Sequence, residues 1–183
     1  MDKSKVISNI FQTVKEVVYP TEMSAKGYLI FYPTEGYHLT EKQYDLFMSS
    51  INELGLLENI VNFDIEFIDD SVELEQDEIR DITDFSYGDY EDITLLFENC
   101  IMDRELRWSI CIYQDYWGII YGVNYLLDEL LQKYDFMYDL EQFKREIMSD
   151  IGNENVKKEF EELMQLSYIV RRKKNGQLDS RFY

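Results

Sequence analysis

Residues 107–121 read RWSICIYQDYWGIIY, and this stretch carries the strongest β-strand pattern of the chain. Two runs of aromatic and β-branched residues flank the polar pair Gln114-Asp115, and Gly118 and Gly122 punctuate the second run. Residues of these types are enriched in strands, and two such runs with a short polar break between them are typical of a hairpin. We therefore predict a mostly buried β-hairpin over this stretch.

The chain that follows the hairpin has the pattern of helices. Three helical segments are predicted, at 123–134, 140–150 and 154–167. Asp139 supplies the N-cap of the second segment, with Gln142 at the N3 position of a capping box, and Gly152-Asn153 separates it from the third. The last third of the chain is therefore predicted to be helical.

Two further elements are predicted before residue 33. Residues 3–18 place apolar side chains three and four positions apart, which is the pattern of an amphipathic helix, and Pro20 would end it. Residues 27–32 (GYLIFY) then form a short run of strand-forming residues closed by Pro33. We predict a helix followed by a strand.

A capping box marks the start of the next helix. Thr40 and Gln43 stand at the N-cap and N3 positions, so the helix should begin at Glu41. It should stop near Leu54, because Gly55 can adopt the left-handed conformation of a C-cap.

The middle of the chain alternates apolar and acidic residues. Residues 62–68 (NFDIEFI) show this alternation, and residues 72–75 (VELE) resume it after Asp69-Asp70-Ser71. The simplest arrangement is a hairpin with its acids on one exposed face. Those acids are Asp64, Glu66, Glu73 and Glu75.

The order of elements predicts the fold class. Residues 76–88 are predicted to be irregular or briefly helical, and residues 89–101 to be helical. The whole order fits an α+β fold with an antiparallel sheet of about four to six strands, packed on one side by helices. At 183 residues the chain is long enough for one core, so we predict a single domain over residues 1–170 and a basic, flexible tail over 171–183.

Charge is distributed unevenly along the chain, whose net charge is −19. Thirteen carboxylates and one cation, Arg80, lie between Asp64 and Asp92, and apolar and aromatic residues are threaded among them. Such a segment can fold and hold its carboxylates in fixed positions. A fixed array of negative charge repels itself and is most easily explained by a positively charged partner.

Groups for catalysis are scarce. His38 is the only histidine and lies in a loop without a catalytic motif. Cys100 and Cys111 have apolar neighbours and no CxxC spacing, which favours two buried reduced thiols, although the sequence leaves a disulfide open. The chain has no phosphate-binding glycine loop, zinc motif or EF-hand. We predict no enzyme activity, no catalytic or metal-binding residues and no cofactor, with divalent-cation binding by the acidic stretch left open.

The sequence also bears on where the protein works. No apolar run approaches the roughly 18 residues of a membrane span, and residues 1–12 lack the apolar core of a signal peptide. We expect a cytoplasmic protein without membrane contact. Nucleic acid is not expected to bind residues 1–170 directly, because their net charge of −23 has the same sign as the phosphates.

Tyrosines near acids and turns complete the predicted binding surface, since tyrosine supplies rigid contact area and carboxylates steer a cationic partner. The candidate partner-binding residues are Asp64, Glu66, Asp69, Asp70, Glu73, Glu75, Asp77, Glu78, Asp84, Tyr87, Asp89, Tyr90, Asp115 and Tyr116. Other tyrosines occupy core-like positions and are predicted to be packing residues. They are Tyr28, Tyr44, Tyr113, Tyr121 and Tyr125.

In its size, its charge, its acids among aromatics from Asp64 to Asp92 and its WSICIYQDYWGIIYG hairpin, the chain resembles the immunity proteins of bacterial toxin systems. The resemblance implies a small acidic cytoplasmic protein that neutralises a toxin encoded nearby by occluding its basic surface. A nuclease toxin fits this role, because its active site must be cationic to hold phosphates. No residue role is carried over from the family.

Two alternatives use the same features. A phage-type nucleic-acid mimic would inhibit a DNA- or RNA-binding enzyme by placing carboxylates where phosphates bind, and it predicts acids spread along an elongated face. A structural or regulatory subunit without catalysis would need no special surface. The oligomeric state and the identity of the partner stay open.

Overall fold

The computed structural model describes most of the chain. The described residues are 11–14, 17–20, 28–64, 79–95, 98–105, 107–113, 116–152 and 154–167. Their strands are β1 (Phe11–Val14), β2 (Val17–Pro20), β3 (Tyr28–Phe31), β4 (Ile60–Asp64), β5 (Arg80–Asp81), β6 (Asn99–Asp103), β7 (Trp108–Tyr113) and β8 (Trp117–Gly122). Six of them form one antiparallel sheet in the order β3-β8-β7-β6-β4-β5, and β1 pairs with β2 in a separate sheet.

The predicted hairpin is confirmed and forms the centre of the larger sheet. β7 and β8 pair from Trp108↔Gly122 to Tyr113↔Trp117, and every residue of both strands is buried. β6 lies beside β7 and β3 lies beside β8, so neither strand of the hairpin is an edge. The strands that the sequence marks most strongly are therefore the ones on which the rest of the sheet is assembled.

Helices flank this sheet. In the described part of the chain they are α1 (Glu41–Glu53), α2 (Tyr87–Glu91), α3 (Asn124–Lys133), α4 (Phe136–Asp150) and α5 (Glu154–Leu166). α1 begins as predicted, with both hydrogen bonds of the Thr40/Gln43 capping box, and Gly55 follows its C-cap Leu54 with a φ of +67°. α3 and α5 lie within one residue of their predicted ends.

α4 begins four residues earlier than predicted. Asp135, not Asp139, is the N-cap, because its side chain accepts a hydrogen bond from the backbone N–H of Tyr138 at 3.2 Å. Asp139 instead lies in the first turn of the helix and is buried. The N-cap prediction for Asp139 is therefore wrong.

Helices pack on both faces of the sheet, not on one as predicted. On one face Phe143 of α4 and Met164 of α5 join a core cluster with Trp117. On the other face Phe47 of α1 and Leu127 of α3 belong to a second cluster. The physical reason lies in the central strands, which are apolar at nearly every position and must be covered on both sides.

Two predicted helices are strands in the structure. The described part of segment 3–18 belongs to β1 and β2, which pair from Phe11↔Pro20 to Val14↔Val17, in keeping with their β-branched and aromatic residues. Among the described residues of segment 89–101, only the end of α2 is helical, and Asn99 begins the central strand β6. β6 is buried at all five positions between β4 and β7, so sheet packing overrides its helical pattern.

Cys100 and Cys111 are free and buried, as predicted. They are direct cross-strand partners in β6 and β7, with their Sγ atoms 3.7 Å apart. Burial raises the pKa of the Cys100 thiol, which keeps it protonated and unreactive. These thiols are core residues of an α+β domain, and the predicted basic tail at 171–183 lies outside the described residues.

Candidate acidic docking surface

The loop 33–38, between β3 and α1, runs across one end of the sheet. The backbone N–H of Thr34 donates to the carbonyl of Tyr116, just before β8, at 2.8 Å. The side chain of Asn99, the first residue of β6, donates to the carbonyl of Tyr37 at 2.7 Å. The loop therefore joins the β7–β8 turn to the start of β6.

An acidic surface surrounds Tyr87 of α2 beside this loop. The Tyr87 hydroxyl donates a long hydrogen bond of 3.5 Å to Glu35 of the loop. Partial burial raises the pKa of Tyr87, and repulsion from Glu35, Glu91 and Glu41 raises it further. We call Tyr87 and the five exposed carboxylates whose charges act on it or on the neighbouring Tyr44 the Tyr87 patch. The five carboxylates are Glu35, Glu41, Asp45, Asp89 and Glu91.

Tyr44 extends the same electrostatic environment inward. Its ring lies 5.8 Å from that of Tyr87, measured between centroids. Burial raises the pKa of Tyr44 to about 12, and the charges of Asp89 and Asp45 contribute to the rise. The two tyrosines thus share a negative environment supplied by a loop and two helices that are distant in sequence.

The five acids of the Tyr87 patch form no ion pairs in the described part of the chain, unlike seven carboxylates elsewhere in it. Among the residues that the structure describes, other carboxylates pair with cations at 4 Å or less. These pairs are Asp64 with Arg80, Asp81 with Arg104, Asp103 and Glu105 with Arg107, Glu53 and Glu129 with Lys133, and Glu141 with Lys144. None of the five patch carboxylates has an ion-pair partner within the described ranges. The patch therefore brings five carboxylates together without an ion-paired cation from the described residues.

Buried aromatic contacts hold α2 in place under the patch. Tyr90 is fully buried, and its ring stacks on Tyr44 with centroids 4.7 Å apart. Its hydroxyl accepts a hydrogen bond from the backbone N–H of Leu39 at 3.0 Å, and burial raises its pKa. The prediction that Tyr90 contacts a partner is wrong, because its side chain is buried. Tyr87, three residues earlier, lies on the exposed side of this short helix.

Asp89 both stabilises the start of α2 and lies on the exposed surface. It completes a capping box with Ser86 at the start of α2, and the hydrogen bonds from Ser86 lower the pKa of Asp89. The carboxylate therefore stays charged while it fixes the first turn of the helix. Asp89 is exposed, and its contact with a partner stays a prediction.

Asp64 is a correction to the predicted carboxylate face. It is the last residue of β4 and only 8% exposed, with Arg80 of β5 at 3.7 Å. The alternation of apolar and acidic residues along β4 predicts an exposed Asp64 only if one face of the sheet meets water. In the structure all five residues of β4 are buried. Asp64 therefore needs its cation close by and is not an exposed contact residue.

A chain of side-chain hydrogen bonds through two buried asparagines connects Arg80 of β5 to loop 33–38. Arg80 donates to the side-chain oxygen of Asn62 at 3.2 Å, and Asn62 donates to Asn99 at 3.0 Å. Asn99 in turn holds the carbonyl of Tyr37. The β4–β5 edge and the loop that carries Glu35 are thus joined by side chains that are satisfied inside the sheet.

The remaining predicted site residues fall into two groups. Asp84 is exposed beside α2, and Tyr116 is 59% exposed at the β7–β8 turn, where its φ of +64° is unusual for a tyrosine. The others lie outside the described residues and stay predictions. They are Glu66, Asp69, Asp70, Glu73, Glu75, Asp77, Glu78 and Asp115.

Four acids of the patch are absent from the predicted binding residues: Glu35, Glu41, Asp45 and Glu91. Only the fold brings the loop and α1 to the side of α2. A partial signal exists, because Glu41 and Asp45 are four residues apart and so share one face of a helix. Tyr125 was also misplaced: it was predicted as a core residue but is 51% exposed on α3.

Other kinds of site are less well supported in the described part of the chain. His38 has its Nε2 atom 3.0 Å from the carbonyl of Ile93 and its ring against Tyr90, with no nucleophile among these contacts. Within the same residues there is no group of three or more potential metal ligands. None of the described helices has the length and apolar character needed to span a bilayer.

Comparison of the chain with protein-family models, with curated proteins and with solved structures returned no match.

Proposed function

We propose that this chain is a non-catalytic binding protein that docks the Tyr87 patch onto a basic partner, and that it serves as an immunity protein against a toxin. The observation that carries the proposal is the concentration of five exposed carboxylates, without ion pairs in the described residues, around the neighbouring rings of Tyr87 and Tyr44. Cations supplied by a partner would complete the pairing that the protein itself leaves open.

The aromatic part of the surface supports docking onto a protein. Tyr87 is partly buried and is backed by Tyr44 and Tyr90, so its ring is held rigidly. Tyr116 is exposed at the turn that contacts the other end of loop 33–38. Rigid tyrosines lose little conformational entropy on binding and are frequent hot spots, while surrounding charges accelerate association.

A toxic nuclease is the partner class that fits best, because its active site must be cationic to hold phosphates. Occlusion of that site by the Tyr87 patch would neutralise it without any chemistry. The mimic alternative is less well supported, since the unpaired acids converge on an aromatic centre instead of extending along one face.

The test uses the product of the gene adjacent to the one that encodes this chain. Association is measured at low and moderate ionic strength for the wild type and for two triple variants. The patch variant carries Glu35→Gln, Asp45→Asn and Glu91→Gln. The matched control carries Glu53→Gln, Glu105→Gln and Glu141→Gln, which removes the same charge from exposed, ion-paired carboxylates.

We expect the patch variant to associate roughly tenfold more slowly at low salt and the control to associate almost as fast as the wild type. Added salt should slow the wild type more than the patch variant. Equal losses in both variants would show that total charge, not the patch, drives association. Failure of the neighbouring product to bind at any ionic strength would contradict the immunity role.

A further inference from the structure

A buried carboxyl group outside the Tyr87 patch has no ion-pair partner in the described part of the chain. Asp139, in the first turn of α4, is 3% exposed. Its Oδ2 atom has no hydrogen-bond partner among the described residues. Because α4 packs against β3, this carboxyl lies between a helix and the edge of the sheet, next to the chain that leaves β3.

The surroundings of Asp139 favour its neutral form. The charged and titratable groups that face it are Asp135 at the N-cap of α4, Lys42 of α1 and Tyr134 before α4. Lys42 is exposed, and its Nζ atom lies 4.9 Å from the centre of the Tyr134 ring, so it does not pair with the buried carboxylate. An isolated buried carboxylate is costly, and such a group binds a proton instead.

The direction of the electrostatic effects agrees with this geometry. Burial raises the pKa of Asp139 to about 7, and the nearby charge of Asp135 also raises it. Hydrogen bonds from the Tyr134 side chain and the Tyr32 backbone act in the opposite direction, as does Lys42. Burial therefore dominates, and the carboxyl titrates in the neutral range.

We propose that Asp139 is a proton-binding site that ties the packing of α4 against β3 to pH in the neutral range. When the proton leaves, a negative charge remains between the helix and the sheet with one oxygen unsatisfied. The unfolded chain, in which aspartate ionises near 4, releases this proton at lower pH than the folded chain does. The stability contributed by the protonated group is therefore fully present below about pH 4, falls as pH rises from about 4 to about 7, and stays lost above that range.

Carbon-13 NMR of the aspartate carboxyl groups tests the protonation directly in the full chain. The resonance that disappears in the Asp139→Asn variant is assigned to Asp139. We expect its titration midpoint near 7. A midpoint near 4 would overturn the proposal, and this measurement on the wild type remains valid even if the variant folds poorly.

Urea unfolding at pH 5, 7 and 9 tests the link to stability. Relative to Asp139→Asn, the unfolding constant of the wild type should rise about 100-fold from pH 5 to pH 9. His38→Gln is the matched control, because it removes the single histidine of the sequence, and it should keep the wild-type dependence. Parallel profiles for the wild type and Asp139→Asn would overturn the proposal.

Amide hydrogen exchange locates the effect. After correction for intrinsic exchange rates, amides at the start of α4 and in β3 should lose protection between pH 6 and pH 8 in the wild type and keep it in Asp139→Asn. Equal protection in both proteins would separate the proton from the helix packing and overturn the proposed coupling.

Discussion

At the scale of single residues, burial separates two neighbouring tyrosines that look equivalent in the sequence. Tyr87 and Tyr90 are three positions apart on a helix of five residues, yet Tyr87 is partly exposed while Tyr90 is fully buried. The difference arises because Tyr90 stacks on Tyr44 and accepts the Leu39 N–H. Tyr90 is therefore a support for the surface and Tyr87 is part of it.

We predict that Tyr90→Phe destabilises the protein by about 1–3 kcal/mol, because it leaves the buried Leu39 N–H without an acceptor. Tyr116→Phe is the control, since the Tyr116 side chain is largely exposed, and it should change stability by less than about 0.5 kcal/mol. Urea unfolding of both variants measures the difference. Similar values for the two substitutions would contradict a structural role for the Tyr90 hydroxyl.

At the scale of elements, the central hairpin owes its close packing to a glycine. A Cβ atom at Gly118 of β8 would lie 2.8 Å from the carbonyl oxygen of Cys111, which is backbone and cannot move aside. It would also clash with the ring of Phe31 across the β3–β8 pair. Gly118 is thus a site of close approach within the sheet.

We predict that Gly118→Ala destabilises the protein by about 1–3 kcal/mol through overpacking. Gly152→Ala is the matched control, because nothing lies within 4 Å of the added methyl group in the described structure and its φ is not positive. That substitution should leave the thermal midpoint unchanged or raise it slightly. A neutral Gly118→Ala would mean that β3 and β8 can separate at no cost, contrary to their packing.

The same scale shows what sequence reasoning can and cannot predict here. The hairpin and α1 were predictable because their signals are local: strand-forming runs around a break, and a capping box at Thr40. β6 was not, because its helical pattern is overridden by pairing on both sides. Asp64 was misplaced for a related reason, since alternation cannot reveal that both sheet faces are covered. The patch acids Glu35 and Glu41 come close to Tyr87 only through the tertiary fold.

At the scale of the whole molecule, a net charge of −19 has to be reconciled with a stable core. Some acids are neutralised by a neighbouring cation: the fully buried Asp103, for example, forms an ion pair with Arg107. The Tyr87 patch receives no such compensation in the described residues. Its carboxylates repel one another, so the surface proposed to bind a partner should also be a source of instability in the free protein.

We therefore predict that the patch triple variant, Glu35→Gln, Asp45→Asn and Glu91→Gln, is more stable than the wild type at low salt. Removal of like-charge repulsion should raise the thermal midpoint by roughly 2 °C in 10 mM salt, and screening should shrink the gain in 200 mM salt. The control variant, Glu53→Gln, Glu105→Gln and Glu141→Gln, removes equal charge but also breaks ion pairs, so its thermal midpoint should rise less.

Thermal denaturation of the three proteins at both salt concentrations measures these differences. If the thermal midpoints of both variants rise equally, the repulsion comes from the total charge of the protein and is not concentrated in the patch. If only the midpoint of the patch variant rises, the patch carboxylates destabilise the free protein, and a basic partner bound there would offset that loss of stability.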